Sequence, residues 1–400
     1  MDATLPQSSV LQLGWVYTRD PAGARALLSV ISESMITVAG VVFSVVVVAL
    51  TLASNQFGTR VLKSFARDSG NQVVLGTFLG TFLYGVLVMR RVESEHHQFV
   101  PSLAVAVCIF LAMASVAVLV YFIHHVIMEI QAENVVASVA RDLFGTIESV
   151  YPEGLGQGAY QLQPASHPRI ELPDMHAVGC DTDGFIRRID SDLALDLAIR
   201  NDATIEIIPL PGSFVTMHSV LARFSGTKNN ERVARELRRC FDIGAQRTYE
   251  QDLSFAFDQL SLIAVRSLSP AINAVGAAED AVTWLKSGLI RLGDRKIPSG
   301  FRYDSDNRLR VVTPTWQLER LLDHVLDRIR DAARSHPDFV LHTILALGEV
   351  ANLTRNPVLI RALEDHIQRF AETAAGLPQE VDQQRVRCVA RSLLQQARSA

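Results

Sequence analysis

Four hundred residues allow about two or three domains, and a net charge of −4 removes an electrostatic nucleic-acid surface from consideration. Mean hydropathy is positive although 20% of the chain is charged, so the apolar residues must be concentrated, and they are concentrated in the first third. The four cysteines, Cys108, Cys180, Cys240 and Cys388, form no CxxC pair, which argues against a cysteine zinc site and a disulfide framework and for buried reduced thiols.

Residues 1–34 lack the basic start and apolar core of a secretory signal and read as an N-terminal amphipathic segment. Three uncharged apolar runs follow, at about 35–53, 73–89 and 99–123. A helix rising about 1.5 Å per residue crosses a hydrocarbon core of about 30 Å in about 20 residues, so each run is expected to span a membrane. The Val-rich first run has strand propensity, but in lipid a helix satisfies its own backbone groups. Gly40 and Ser44 in the first run, with Thr51 beyond them, and Gly76, Thr77, Gly80 and Thr81 in the second make small-residue faces. Such faces let helices approach closely; a subunit interface, a pore lining and packing within one subunit all use them. No Asp, Glu, Lys or Arg lies inside the three runs, which removes the usual signature of proton relays.

His124 and His125 follow Tyr121 at the end of the third run and read as interfacial anchors rather than a metal pair. His96 and His97 sit in a polar loop with Glu93 and Glu95. Lys and Arg near the spans number four on each side, so charge bias does not orient the chain. The unpaired cysteines place the C-terminal region in the cytoplasm of a multi-pass inner-membrane protein.

The third run continues without Gly or Pro to Gly145 as an amphipathic pattern through Val135, Val139, Leu143 and Ile147. One helix from about Ser102 to Val150, roughly 70 Å long, is expected, with residues 126–150 as a cytoplasmic stalk whose apolar stripe needs partners. Residues 151–168 read as a Gly/Pro/Gln linker. A small α+β module follows at 169–226: strands at "GFIRRID", "ATIEIIPLPGSFV" and "SVLARF", a helix at "SDLALDLAIRND" capped at Ser191/Asp192, and a Pro211-Gly212 turn, together resembling a small β-barrel. Residues 229–400 read as mainly helical, with helices at 229–242, 250–268, 277–293, 315–334, 337–353, 357–374 and 380–398, interrupted by the strands "FRYD" and "RLRVVT". The polar cluster Arg247, Glu250, Asp252, Gln259, Arg266, Ser269 and Asn273 is denser than a core helix requires. It is a candidate anion or subunit site, or a capping and ion-pair network. No nucleophile elbow, Walker A loop, HExxH or Rossmann fingerprint occurs.

The block "ARALLSVISESMITVAGVVFSVVVVALTLASNQFGTRVLKSFARDSGNQVVLGTFLGTFLY", with "YFIHHV", "PGSF", "RTYEQD" and "SLSPAIN", resembles a family of bacterial predicted membrane proteins catalogued only as a domain of unknown function. The resemblance covers most of the chain and implies fold and location but no activity. It implies a further N-terminal membrane helix, for which this chain offers only "SVLQLGWVY", and an Asp-Pro and a Thr-Ala after "SPAIN", where this chain has "AVGAAED". The expected fold is a mainly α integral membrane protein with three transmembrane helices, a stalk helix, a β-rich module and a C-terminal helical domain. The functional expectations are an oligomeric channel for small ions or, alternatively, a membrane-anchored sensor or scaffold binding a metabolite or protein. Lipids and further copies of the chain are the expected partners. Neither enzyme activity nor a cofactor, metal or nucleic acid is expected.

Overall fold

The computed structural model describes residues 21–57, 69–92, 100–151, 175–225, 230–295, 299–377 and 379–399. The polar loop after the first span, His96 and His97 with their glutamates, and nearly all of the 151–168 linker lie outside these residues. The chain divides into two units, residues 1–135 and 136–400.

The first unit is built from three helices, α1 (Pro21–Phe57), α2 (Ser69–Met89) and α3 (Ser102–Ile130). Each is long and apolar enough to cross a membrane. The first is longer than the uncharged run, because the helix starts fourteen residues earlier and takes in Arg25 and Glu33. Arg25 uses its guanidinium to hold the Val92 carbonyl beyond α2, at 3.1 and 2.5 Å. The helices meet along a narrow seam that includes Leu28, Val42, Val74, Phe78, Val105 and Phe122. Only 22%, 28% and 17% of the three spans is buried by protein, so most of their apolar surface needs another apolar solvent.

The expected continuous helix from Ser102 to Val150 is not formed. Gln131 leaves the helical region (φ −61°, ψ 132°), and a new helix, α4, runs Ala132–Val150. The break is capped by one polar side chain and one backbone carbonyl. Asn134 Nδ2 donates to the Met128 carbonyl at 2.6 Å, and Gln131 O accepts from the amides of Asn134 and Val135. The 126–150 stalk is corrected accordingly. The stripe Val136, Ala140, Leu143 and Ile147 is buried at the i, i+4, i+7, i+11 spacing of one helix face. It is covered within the second unit, where a Cβ on Gly288 would lie 2.6 Å from Leu143 Cδ2. Phe144 packs against Trp284 at 5.9 Å, and Thr146 donates to the Tyr249 carbonyl at 2.6 Å. The stripe therefore needs no second subunit.

After α4 the second unit alternates strands and helices. These are β1 (His176–Gly179), β2 (Gly184–Ile189), α5 (Ser191–Arg200), β3 (Thr204–Ile207), β4 (Phe214–Val215), β5 (Val220–Ser225), α6 (Asn230–Arg238) and β6 (Phe241–Gly244). Two long helices, α7 (Leu253–Ser267) and α8 (Val275–Asp294), precede the strands β7 (Phe301–Tyr303) and β8 (Leu309–Val312). The chain ends in α9 (Leu318–Ala332), α10 (Pro337–Leu353), α11 (Pro357–Thr373) and α12 (Glu380–Ser399). The strands make two sheets, in the orders β1-β5-β3-β8-β7 and β4-β2-β6, rather than the small barrel. They share a core in which Ile186, Ile205, Leu221, Phe224, Leu237 and Val311 are buried.

Three boundaries depart from expectation. The helix expected at 229–242 stops at Arg238, and Phe241–Gly244 pairs with β2 instead. The cap of α5 is Asp190, whose carboxylate accepts from the Leu193 amide at 3.0 Å, one residue before Ser191. The strand pair set inside the helical region joins the β-module, because β8 lies parallel to β3 through Ile205↔Val311. That pairing brings residues 300–324 alongside the Pro211-Gly212 turn.

Candidate functional site

The site begins at that turn. Gly212 has φ +87°, a conformation in which L side chains are strained. Its amide donates to Ile186 O at 2.7 Å. Gly212 is also pressed against Asp252, since a Cβ there would lie 2.0 Å from Asp252 Oδ2. The "PGSF" and "RTYEQD" segments, about forty residues apart in sequence, are thus one structural feature.

Asp252 is fully buried and caps α7, with Oδ1 accepting from the Phe255 amide at 3.0 Å. The same oxygen accepts from Ser254 Oγ at 3.0 Å and Arg247 Nη2 at 2.9 Å, while Oδ2 accepts from Arg247 Nε at 2.6 Å. This forked geometry is the strong form of a carboxylate–guanidinium pair. Arg247 lies over the Phe255 ring and reaches a second buried carboxylate, Asp258, at 3.5 Å. Asp258 is also held by His324 Nε2 at 2.9 Å and Arg328 at 3.5 Å. Gln251 clamps the neighbouring strand end, accepting from Ile189 N at 2.8 Å and donating to Ile189 O at 3.2 Å.

Arg247 and Ser254, with the turn residues Leu210–Ser213, form one wall of a cleft of about 800 Å³. The opposite wall is the segment Thr313–Gln317 and the start of α9, whose first turn has no side-chain cap. Trp316 supplies an aromatic surface, and Ser213, Ser254 and Thr313 supply hydroxyls. Arg320 lines the same cleft and is exposed. Among the described residues it has no ion-pair or hydrogen-bond partner within the chain. Glu206, an acid in the lining, is paired with Arg223 at 3.3 Å. A second lobe of about 310 Å³ shares the Pro314–Trp316 wall and contains Arg302, whose guanidinium is pulled below its ordinary value by burial. The cleft therefore presents cationic groups, hydroxyls and one indole within the size range of small-molecule sites.

The expected polar cluster is divided by the structure. Arg247 and Asp252 meet at the cleft. The Glu250 carbonyl accepts from Ser149 Oγ at 2.7 Å, and Gln259 is half-buried on α7. Ser269 and Asn273 lie past the far end of α7 and close a turn: Ser269 Oγ donates to the Arg266 carbonyl at 2.6 Å, and Asn273, at φ 48°, donates its amide to Ser269 O at 2.8 Å. Arg266 stands on the last turn of the same helix. Ser254, Asp258, His324 and Arg320 lie outside the polar cluster that the sequence singles out. The signal for Asp258 was a carboxylate between Phe257 and Leu260 on an apolar helix face; His324 and Arg320 had none, because their position depends on the β3–β8 pairing.

In the first unit, Gly40, Ser44, Thr51, Gly76 and Gly80 are exposed and Thr77 is partly so. A Cβ on Gly40, Gly76 or Gly80 would meet nothing within 4 Å, so these small residues do not pack the three helices together. That role falls to Gly85, where a Cβ would lie 2.4 Å from Ser32 Oγ, and to Thr81, whose hydroxyl lies 3.3 Å from that of Ser115. Tyr121 stacks on His125 at 5.5 Å.

No solved structure matches the chain. Uncharacterized protein Rv1290c of Mycobacterium tuberculosis (strain ATCC 25618 / H37Rv) is 33% identical over 363 residues, which cover 88% of this chain and 68% of the relative. Uncharacterized protein Mb1321c of Mycobacterium bovis matches to the same extent. The family model described as "Predicted membrane protein (DUF2254)" matches residues 2–349, which takes in all three apolar helices and the cleft, and the chain belongs to that family.

Proposed function

We propose that the chain is a membrane-anchored binding protein, in which the three spans tether the second unit and the cleft takes a small anionic metabolite carrying a carboxylate or phosphate. One observation carries this reading: a guanidinium, Arg320, without a partner among the described residues, in one cleft with Arg247, hydroxyl donors and the open first turn of α9. Each favours negative charge. The reading is of binding rather than catalysis, because Arg247, Asp252 and Asp258 are engaged with one another. A cytoplasmic second unit at a bacterial inner membrane is part of the proposal; its support is the three free cysteines of that unit, Cys180, Cys240 and Cys388, as expected in a reducing compartment.

The test is a thermal-shift and calorimetric screen of detergent-solubilised full-length chain against phosphates, nucleotides and small dicarboxylates. At least one class should bind, and Arg320→Ala should weaken it about tenfold or more without lowering the unliganded melting temperature. Binding that is indifferent to Arg320→Ala, or no binding by any anion, rejects the cleft.

A second reading, self-association of the membrane unit into an ion-conducting oligomer, is favoured by the outward face of Gly40, Ser44, Gly76 and Gly80. Native mass spectrometry and bilayer conductance test it; a strict monomer rejects it.

A further inference from the structure

Away from the cleft, α9 and α11 bring together one histidine and two carboxylates that the binding reading does not use. Asp323 and Asp327 stand one turn apart on α9, and His366 faces them from α11. One ligand atom from each lies within 4.8 Å of the others. We propose that Asp323, Asp327 and His366 form a site for a divalent transition metal, with Zn²⁺ the best-matched ion.

The carboxylates alone would say little, since acidic pairs are common on helix surfaces. The histidine is what points to a ligand. Its side chain is 1% exposed, yet Nδ1 has no hydrogen-bond partner among the described residues. Leaving a buried polar atom unpaired is unfavourable. Nδ1 lies 3.9 Å from Asp327 Oδ1, too far for a hydrogen bond. An ion bound at about 2.0–2.2 Å from a nitrogen and an oxygen fits between such a pair. On the other side of the ring, Nε2 lies 3.3 Å from Asp323 Oδ1.

The charge balance also accepts a cation. Asp323, Asp327 and Asp365 face Arg330 and Arg369, which leaves one negative charge with the imidazole neutral. The carboxylates are 44% and 37% exposed, so an ion has a path from solvent. A nitrogen donor beside a carboxylate oxygen, with positions left for water, suits Zn²⁺ better than Mg²⁺ or Ca²⁺, which prefer all-oxygen sites.

Two arginines compete. Arg330 donates to Asp327 Oδ1 at 2.6 Å, and Arg369 reaches Asp323 at 2.9 Å and Asp327 at 3.6 Å; metal entry must displace Arg330 from that oxygen and Arg369 towards Asp365, with which it already pairs at 2.5 Å. Removing the Arg369 guanidinium should therefore strengthen metal binding, which an ordinary ion-pair network would not do.

The experiment is calorimetric titration of untagged, chelator-treated full-length chain with Zn²⁺. The expected result is one ion per chain, affinity about tenfold or more weaker in Asp323→Asn and in Asp327→Asn, and tighter binding in Arg369→Gln. Circular dichroism confirms that these partly exposed positions leave the fold intact. Absence of saturable uptake, or uptake that ignores both carboxylate substitutions and Arg369→Gln, overturns the proposal.

Discussion

Replacing Gly212 with alanine tests whether the turn and the buried carboxylate form one unit. Two costs add. The backbone at φ +87° costs an L residue about 1–2 kcal/mol. The new Cβ also falls 2.0 Å from Asp252 Oδ2 and 2.4 Å from its Cγ, so the carboxylate or the turn must move. Moving Asp252 weakens the α7 cap, worth about 1 kcal/mol, and its charge-assisted bonds to Arg247, worth about 1.5–3 kcal/mol. The sum, with partial relaxation, is about 3–5 kcal/mol. At about 2–4 °C per kcal/mol for a unit of this size, the second unit should melt about 6–20 °C lower. The assay is thermal unfolding followed by tryptophan fluorescence, to which Trp316 in the cleft contributes. In an Asp252→Ala background only the backbone cost should remain, so the pair should couple by about 2–3 kcal/mol. Equal losses in both backgrounds would refute the reasoning.

Enlarging Gly288 to valine should cost about 1–3 kcal/mol by pushing Leu143 off α8, and Leu143→Ala should recover part of it; no recovery would mean that α4 is not seated there. Burial, reinforced by Arg369, depresses the His366 pKa against the opposing pull of Asp327, Asp323 and Asp365. The neutral ring is therefore the folded form, and its contribution is complete above the ordinary imidazole value of about 6.5. That contribution should be lost as pH falls through the lower folded value; denaturant titrations of metal-free protein should show the slope, and His366→Asn should flatten it. Burial pushes the Cys240 thiol up to about 11, with Asp190 adding to the shift, whereas Cys388 is exposed. Maleimide at neutral pH should label Cys388 in the native chain and reach Cys240 only after unfolding, as peptide mass mapping would show.

The membrane helices were legible because hydropathy is a local property: the first two uncharged runs lie inside α1 and α2, and the third lies in α3 from Ser102 on. The extra turns of α1 were not, since Arg25 and Glu33 read as the end of an apolar run, whereas the helix continues past them and spends Arg25 on the Val92 carbonyl. Helix α10, at Pro337–Leu353, matched its expected limits because His336-Pro337 and Leu353-Thr354 punctuate it in the sequence. The break at Gln131 carried no Gly or Pro, and its cap is a side chain three residues on. At the cleft, Asp252 and Arg247 are five residues apart and were found together. Gly212 meets Asp252 across about forty residues, and His324 and Arg320 reach the cleft through the parallel β3–β8 pair, a contact across about one hundred residues that no local pattern announces.

The claim beneath all of this is that lipid covers the outer faces of α1, α2 and α3, where Val41, Phe43, Leu87, Phe110 and Val120 are 59–65% exposed. Fractionation of cells expressing the full-length chain, followed by an alkaline carbonate wash, measures it directly. The chain should stay in the membrane pellet and leave it only with detergent. Recovery as a soluble monomer in the supernatant would contradict the account.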